Sequence, residues 1–476
     1  MADKRGIARV GVRALSGVIG VGVAALVVAG ATLLPLPSFQ VAAPVSTVTP
    51  VPADQQRVCP GPLLALAADA GAATTPSSFG EPISAYGTDA DGMQTHLLKP
   101  DSDAATPSQA PLVLTVPTPS GSTTPPLVAG AQSQAAVTDD LAGLAASSCD
   151  EPSADSWLVA GSTALGQTSL VMLSNPTAVE ATVNLTIFAE TGAVDAPGAT
   201  GIVIPPGAQK VVPLAGLAPG VSAPVVHVKT SGGQVVASLQ QSYEVGIEPR
   251  GVELSAPTGS PSPTQVISGV TIRTLAKVTA GQVGEGYGVD LPAVRVFVPG
   301  DQPAEVAVGA VGETGTAAGN SYSVSVKPGV VAEIPIQGLK DGNYTVTVHS
   351  SQPIIAAART AVVGAKTRDF AWFVSSEQMP DRFLAAVPTA PSPLIHFANQ
   401  GSADRTVTIT GQNGKKATVK VPAEGSVNRP VAAGLNTIEG ARGLVTSVSF
   451  SADGSASTFA LNPPGPLAAP LDVYPR

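Results

Sequence analysis

Two stretches of this chain repeat each other, and the repeat limits the fold more than any other feature of the sequence. Residues 170–192 align without a gap on residues 293–315, and both stretches end in Glu-Thr-Gly. Residues 205–217 align on residues 327–339, and both contain a Pro-Gly pair followed by Pro and then Gly-Leu. A weaker third copy begins at Leu394. Because self-similarity at a regular spacing indicates repeated structural units, we expect three copies of one module.

Inside each copy, apolar residues alternate with threonine and serine. Val183, Leu185 and Ile187 are each separated by one polar residue, and so are Val407 and Ile409. A period of two is typical of an antiparallel strand that buries one face and exposes the other. Several short strands in about 100 residues predict a β-sandwich, immunoglobulin-like in the broad sense.

Composition supports the same class. The chain contains 50 glycines and 45 prolines, which argues against long helices and coiled coils. Hairpin turns are predicted at Asp341-Gly342, Asn413-Gly414 and Asp453-Gly454. We therefore predict an all-β fold of tandem immunoglobulin-like β-sandwich domains. Their predicted bounds are 151–256, 265–366 and 367–476, with a proline-containing linker before the second domain.

An uncharged apolar segment lies near the N-terminus, from Ala14 to Leu34. At 1.5 Å per residue a helix of this length spans about 31 Å, the thickness of the hydrocarbon core of a bilayer. We predict a cytoplasmic basic tail at 1–13, followed by a transmembrane helix or signal segment at 14–36. The alternative is signal-peptidase cleavage after Ala31, which would make the protein secreted. Both interpretations place the bulk of the chain outside the cell, and the first makes it a single-pass protein of the cell membrane.

Residues 40–150 form a different, β-rich region in which short apolar runs are separated by Ser, Thr and Pro. The segment 135–146 is predicted to form one short helix, with Asp139 and Asp140 able to cap it. The two cysteines, Cys59 and Cys149, belong to a chain predicted to be exported, where oxidation is permitted. We expect them to form a disulfide, and two buried free thiols are the alternative.

Residues 149–197 contain Cys149, Trp157, Gly-Ser-Thr at 161–163 and Ser-Asn-Pro at 174–176. On these residues the stretch resembles an actinobacterial exported, membrane-anchored protein family of unknown function, and the resemblance extends more loosely over residues 40–476. The resemblance implies a role in the cell envelope. The family has no assigned catalytic residues, so the resemblance implies no catalytic site.

We find no motif that indicates catalysis, a cofactor or a metal. The four histidines (His96, His227, His349 and His396) fall in four separate predicted modules, without a second ligand at metal-binding spacing. HExxH, GxSxG and P-loop motifs do not occur. Asp89 and Asp91 precede a glycine and favour a turn, with a weak calcium contact as the alternative. Trp157 and Trp372 begin similar segments, which indicates core packing, with glycan stacking as the alternative.

The formal net charge is −9, and an acidic chain is a poor ligand for nucleic acid or anionic lipid. We therefore interpret the protein as a non-enzymatic, membrane-tethered scaffold or interaction protein of the cell envelope. The cell membrane is its expected partner through the N-terminal helix, together with an envelope protein or glycan. The alternatives are an envelope-glycan-binding module and an unrecognised subunit of an envelope enzyme.

Overall fold

The computed structural model describes residues 46–48, 54–66, 76–102, 109–122, 124–281, 290–313, 321–463 and 471–473. The predicted membrane or signal segment at 14–36 lies outside these residues. Within them, no helix has the length and apolar character needed to cross a membrane. The chain divides into two units, Met1–Pro50 with Ala469–Arg476, and Val51–Ala468. In the first unit, strand β1 (Ser46–Val48) pairs antiparallel with strand Leu471–Val473.

The second unit begins with the N-terminal set of strands, at 54–148. Its strands form two three-stranded sheets, of order β2-β7-β6 and β5-β8-β9, and the hairpin β3-β4. The strands are β2 (Gln55–Val58), β3 (Leu63–Leu66), β4 (Pro76–Phe79), β5 (Ile83–Thr88), β6 (Gln94–Leu97), β7 (Leu112–Val116), β8 (Val128–Val137) and β9 (Ala142–Ser148).

The first set follows at 155–255. One sheet has the order β10-β16-β12, with β13 and β14 both paired to β12, and the other has the order β15-β11-β17-β18. A single 3₁₀ turn covers Leu214–Gly216 in this set. The strands are β10 (Asp155–Leu158), β11 (Gln167–Asn175), β12 (Ala181–Ala189), β13 (Gly192–Ala193), β14 (Ile202–Ile204), β15 (Ala208–Pro213), β16 (Val225–Gly232), β17 (Val236–Val245) and β18 (Glu248–Ser255).

The second set occupies 262–374 and contains helix α1 (Leu275–Ala280). Its longest strand, β24, has 22 residues and belongs to both sheets of the set. The first half of β24 pairs with β19 and β21, and the second half pairs with β20 and β25. The strands are β19 (Ser262–Ile272), β20 (Ala293–Phe297), β21 (Ala304–Gly312), β22 (Ser321–Val326), β23 (Val331–Pro335), β24 (Gly342–Val363) and β25 (Arg368–Val374).

The third set occupies 382–461 and forms two four-stranded sheets, of order β26-β31-β28-β29 and β30-β27-β32-β33. The strands are β26 (Arg382–Val387), β27 (Leu394–Asn399), β28 (Arg405–Gly411), β29 (Lys416–Val421), β30 (Ser426–Pro430), β31 (Gly434–Glu439), β32 (Leu444–Ala452) and β33 (Ser455–Leu461). Strand β34 (Leu471–Val473) is the partner of β1. The predicted all-β class is therefore confirmed.

One strand order recurs in the first, second and third sets. With β13 and β14 of the first set counted together as the fourth strand, the first strand of each set pairs with the sixth, the sixth with the third, and the third with the fourth. In the other sheet, the fifth pairs with the second, the second with the seventh, and the seventh with the eighth, β24 serving as both sixth and seventh in the second set. With the hairpin β3-β4 left out of the count, the N-terminal set keeps the same order in its two three-stranded sheets, without counterparts of the fourth and fifth strands among its described residues.

The burial of side chains follows the predicted alternation. In β12, Val183, Leu185 and Ile187 are buried, while Asn184 and Thr186 are exposed. Two asparagines that end equivalent strands also make equivalent contacts. The Asn175 amide donates to the carbonyl oxygen four residues later, and its side-chain oxygen accepts from the N–H two residues later. Asn399 in the third set does the same.

Two local predictions are wrong. The segment 135–146 is a hairpin of β8 and β9 instead of a helix, and Asp139 and Asp140 lie in its turn. The hydroxyl of Thr138 closes that turn with hydrogen bonds to the main chain of Leu141. Hairpins do form at 413–414 and 453–454. Asp341 instead accepts hydrogen bonds from the main-chain N–H groups of residues 274 and 275, at the start of α1.

The final strand of each set meets the final strands of two other sets. β9 packs against β18, β18 against β25, β25 against β33, and β33 against β9, which closes a ring. We call these four strands the hub. Because every set contributes one strand to the hub, residues 51–468 form one compact unit.

Candidate functional site

A groove of about 590 Å³ lies where the N-terminal set, the first set and the segment 257–261 meet. It combines aromatic rings, carboxylates and hydroxyl groups, a mixture typical of sites that bind polar ligands. The residues that matter to its chemistry are Arg57, Asp155, Trp157, His227, Ser260 and Glu377.

Strand pairing positions the aromatic part of the groove. Trp157 on β10 lies opposite His227 on β16, and their rings stack with centroids 3.6 Å apart. Asp155 precedes Trp157 by two residues, so both side chains lie on one face of the strand. Its Oδ1 is 2.9 Å from Nε2 of His227, which therefore donates to it. Trp157 is only 8% exposed, so His227 covers it from the groove.

Burial sets the proton affinity of two groove residues. Burial lowers the pKa of His227 below its usual 6.5, although the adjacent Asp155 carboxylate opposes the shift. The imidazole is therefore neutral at neutral pH. Burial raises the pKa of Asp150 to about 6, and the Ser148 hydroxyl and the charge of Arg57 oppose this.

The charge of the groove is mainly negative. Asp150, Glu151, Asp155 and Glu377 line it, against one guanidinium, that of Arg57. Nη2 of Arg57 lies 2.9 Å from Oε1 of Glu151. The Glu377 carboxylate accepts a hydrogen bond of 2.8 Å from the Ser260 hydroxyl. Charge complementarity favours a neutral or cationic ligand over an anionic one.

A second constellation joins the second and third sets. His396 Nδ1 lies 2.5 Å from Oε2 of Glu313, and its Nε2 lies 2.7 Å from the Ser449 hydroxyl. Glu313 also accepts bonds from the Asn428 amide and from the N–H of Gly269. Serine, histidine and carboxylate in this order resemble a hydrolase triad. However, none of the three is more than 3% exposed, so a substrate could not reach the hydroxyl.

A third constellation joins the first and second sets around Arg295, which is completely buried. Its guanidinium lies 4.5 Å from the centre of the Trp372 ring and pairs with Glu333 at 2.6 Å. It also donates to the carbonyl oxygens of Gly161 and Pro224 in the first set. The ring nitrogen of Trp372 donates to the side chain of Gln241 in the first set.

The structure tests several residues that the sequence singled out. Cys59 and Cys149 form a disulfide, as predicted. Trp157 and Trp372 are both buried. Asp89 pairs with Arg382 in the third set at 2.6 Å.

The four histidines differ in burial. His96 and His349 are exposed, His227 is half-buried in the groove, and His396 is buried against Glu313. Among the described residues, no three His, Cys, Asp or Glu side chains are grouped so that they could hold a metal ion. Sequence reasoning missed the partnership of Glu313 with His396, because 83 residues separate them. The Glu-Thr-Gly sequence that ends both copies of the repeat contains Glu313, and this recurrence could have drawn attention to that glutamate.

Comparison with known proteins assigns a family. The model of a family of unknown function, DUF5719, matches residues 102–432, which is well over half of the chain. The chain therefore belongs to this family. The sequence matches none of the curated proteins with which it was compared.

One solved structure that aligns with this chain is described as the crystal structure of Thermotoga maritima 1070. The alignment covers 25% of this chain and 93% of the other chain. The identity is 15% and the TM-score 0.20. This likeness carries no argument about fold or function.

Proposed function

We propose that this protein is a non-enzymatic scaffold or interaction protein of the cell envelope. In this proposal residues 14–36 tether it to the cell membrane, and the remainder lies on the outer side. We also propose that the first, second and third sets are tandem immunoglobulin-like β-sandwiches. The recurrence of one strand order in all three supports the repeat, and the apolar segment with basic residues before it supports the tether.

The observation that carries the scaffold proposal is the use of buried charge at contacts between sets. Arg295 bonds the second set to the first, and Glu313 with His396 bonds the second set to the third. Directional bonds of this kind oppose sliding or rotation of one set against another, because buried polar groups are costly when left unpaired. A scaffold needs such rigidity to present its surfaces at fixed spacing.

Capture from cross-linked cells tests the proposal. The full chain and a variant that lacks residues 14–34 are each purified, and the proteins bound to them are identified. A third chain carries an unrelated membrane-spanning segment in place of 14–34, to separate tethering from recognition. We expect a reproducible membrane protein with the first and third chains and none with the deletion. Failure of any membrane protein to accompany the full chain would contradict the proposal.

The groove favours a second candidate, binding of an envelope glycan. Carboxylates beside hydroxyl groups suit the hydrogen bonding of sugar hydroxyls, and the charge favours a neutral or amino-containing polymer. In co-sedimentation of the full chain with isolated cell wall, we expect saturable binding that Asp155→Asn and Glu377→Gln each weaken, by about tenfold for the loss of one charged hydrogen bond. Asp301→Asn, at an exposed turn of the second set, is the matched control. Equal binding by all four proteins would exclude the groove as the site.

A further inference from the structure

Four main-chain N–H groups, one from each strand of the hub, converge on the carboxylate of Asp369. Oδ2 accepts from Leu144 at 2.8 Å and from Ala456 at 3.2 Å. Oδ1 accepts from Phe370 at 3.0 Å and from Val252 at 3.3 Å. The N-terminal, first, second and third sets therefore each contribute one donor to a single side chain, which is 1% exposed.

The four donors have corresponding positions in their strands. Each immediately follows one of the residues Gly143, Gly251, Asp369 and Ser455, which lie in the first half of β9, β18, β25 and β33. A Cβ atom built on Gly143 would lie 2.7 Å from Oδ1 of Asp369, and one built on Gly251 would lie 2.8 Å from it. Both glycines also have a positive φ, +144° and +146°, which disfavours any other residue. β9 and β18 thus have glycine at the position where β25 has Asp369. The space between the strands holds only one side chain.

The arrangement of donors fits an ionised carboxylate. Each oxygen of Asp369 faces two N–H donors, so a proton on either oxygen would point at another hydrogen. Burial raises the pKa of Asp369 well above its usual value, and the four N–H donors reduce that shift because they stabilise the charged form. Burial also raises the pKa of the neighbouring Glu253 well above its usual value, and the charge of Asp369 adds to this.

We propose that the hub is an anion-binding site for a carboxylate, that the chain fills it with its own Asp369, and that this internal ligand holds the four sets around one axis. Converging main-chain N–H groups form anion sites in other folds, where the ligand comes from solution. Here the ligand is covalently part of the second set. The carboxylate accepts one N–H from each of the four strands, beside the bonds that Ser457 of β33 makes with Ala146 of β9 and Glu253 of β18. This proposal does not depend on the partner of the protein or on its location.

Replacing the internal ligand with a free one tests the proposal. Asp369→Gly in the full chain leaves the same residue at 369 that occurs at 143 and 251. Acetate is the Asp369 side chain as a free molecule, and acetamide has the same shape without charge. We expect the melting temperature of the variant to fall by roughly 5 °C or more. Acetate or formate should restore it saturably, and acetamide at equal concentration should not.

The controls separate a site from a general salt effect. Wild-type protein and the variant Asp301→Gly, changed at an exposed turn, should not respond to acetate beyond the effect of equal sodium chloride. If Asp369→Gly folds only with acetate or formate present, the proposal is supported. If the variant melts like the wild type, or regains no stability and no folded structure with either anion, the proposal is overturned.

Hydrogen exchange provides a second, independent measurement. Asp369→Asn keeps the size of the side chain but directs an NH₂ group at N–H donors. We expect the amides of Leu144, Val252 and Ala456 to lose protection together, although they are far apart in sequence. The amide of Val171, in the centre of β11, should keep its protection. Loss of protection at residue 370 alone would show that Asp369 acts only within its own strand, and would contradict the proposal.

Discussion

The guanidinium of Arg295, in the second set, donates a hydrogen bond of 2.9 Å to the carbonyl oxygen of Gly161, in the first set. Arg295 has no exposed side-chain surface, so its charge depends on Glu333, whose carboxylate is 2.6 Å away. A buried charge that loses its partners costs several kilocalories per mole. The contact between these two sets therefore rests on directional bonds as well as on the apolar cluster around Trp157 and Phe297.

Replacing Arg295 tests the strength of that contact. Arg295→Leu removes the bonds to Gly161 and Pro224 and leaves the Glu333 carboxylate without its closest partner. We expect the free energy of unfolding, measured with urea, to fall by about 3 kcal/mol. Arg442→Leu, at an exposed arginine, should change it by about 0.5 kcal/mol or less. Equal effects of the two substitutions would mean that the buried guanidinium contributes no more than a surface one.

Glu313 gives the bridge between the second and third sets a predictable pH dependence. Burial alone would raise the pKa of Glu313, but the charge and hydrogen bond of His396 outweigh it and hold the pKa below the usual 4.5. The stabilisation is therefore present above pH 4.5 and is lost as the pH falls through the lowered folded value. Glu313→Gln should lower the free energy of unfolding by about 2–3 kcal/mol at pH 7.

The measurement is denaturation of wild type and Glu313→Gln at pH 7, at pH 5 and below the lowered pKa. The difference between the two proteins should shrink at the lowest pH. Glu305→Gln is the matched control, since Glu305 lies on β21, the strand that Glu313 directly follows, and has an exposed side chain. A difference that is constant with pH would show that the carboxylate charge does not stabilise the fold.

The alternation in β12 predicts opposite outcomes for adjacent residues. Leu185 is 3% exposed in the apolar cluster of the first set, and Thr186 is exposed on the other face. Leu185→Asp should unfold this set, because it buries an unpaired charge, whereas Thr186→Asp should leave it folded. Circular dichroism and limited proteolysis distinguish the two. A soluble, cooperatively melting Leu185→Asp protein would refute the register.

The disulfide should account for a large part of the stability of the N-terminal set. Cys59 and Cys149 are 90 residues apart, and the loop-entropy estimate for closing such a loop is about 4–5 kcal/mol. The double variant Cys59→Ser with Cys149→Ser should melt at a lower temperature than the oxidised protein. Reduced wild type is the control and should melt close to the variant. Identical melting of all three would show that the bond constrains nothing.

Much of the fold follows from local sequence. The alternation at Val183, Leu185 and Ile187 and the turns at Asn413 and Asp453 predict strands and hairpins, because period and turn chemistry are short-range properties. The repeat predicts that the strands recur. The alternation fails to predict burial where the outer face of a strand is covered by another part of the protein. Thr345 lies between Tyr344 and Val346, so the period predicts that it faces water. It is buried instead, and its hydroxyl donates to Glu313.

The contacts between sets could not be predicted, for a physical reason. Half of the segment 135–146 is Ala or Gly, five alanines and one glycine, whose small side chains give no clear period. These residues are small because β18 and β33 pack closely against β9, which is a property of the assembled hub. In the same way, nothing near Asp369 in the sequence indicates that the main chain of three other sets would surround it.

The disulfide also determines how the protein would carry mechanical load. Cys59 directly follows β2, and Cys149 directly follows β9, so the bond joins the start of the N-terminal set to its end. A pulling force applied at the N-terminus would pass from Cys59 through the sulfur atoms to Cys149 and on to the first set. Residues 60–148 form a closed covalent loop outside that path. Tension could therefore act on the junction with the first set while the strand β9, and its place in the hub, remain unloaded.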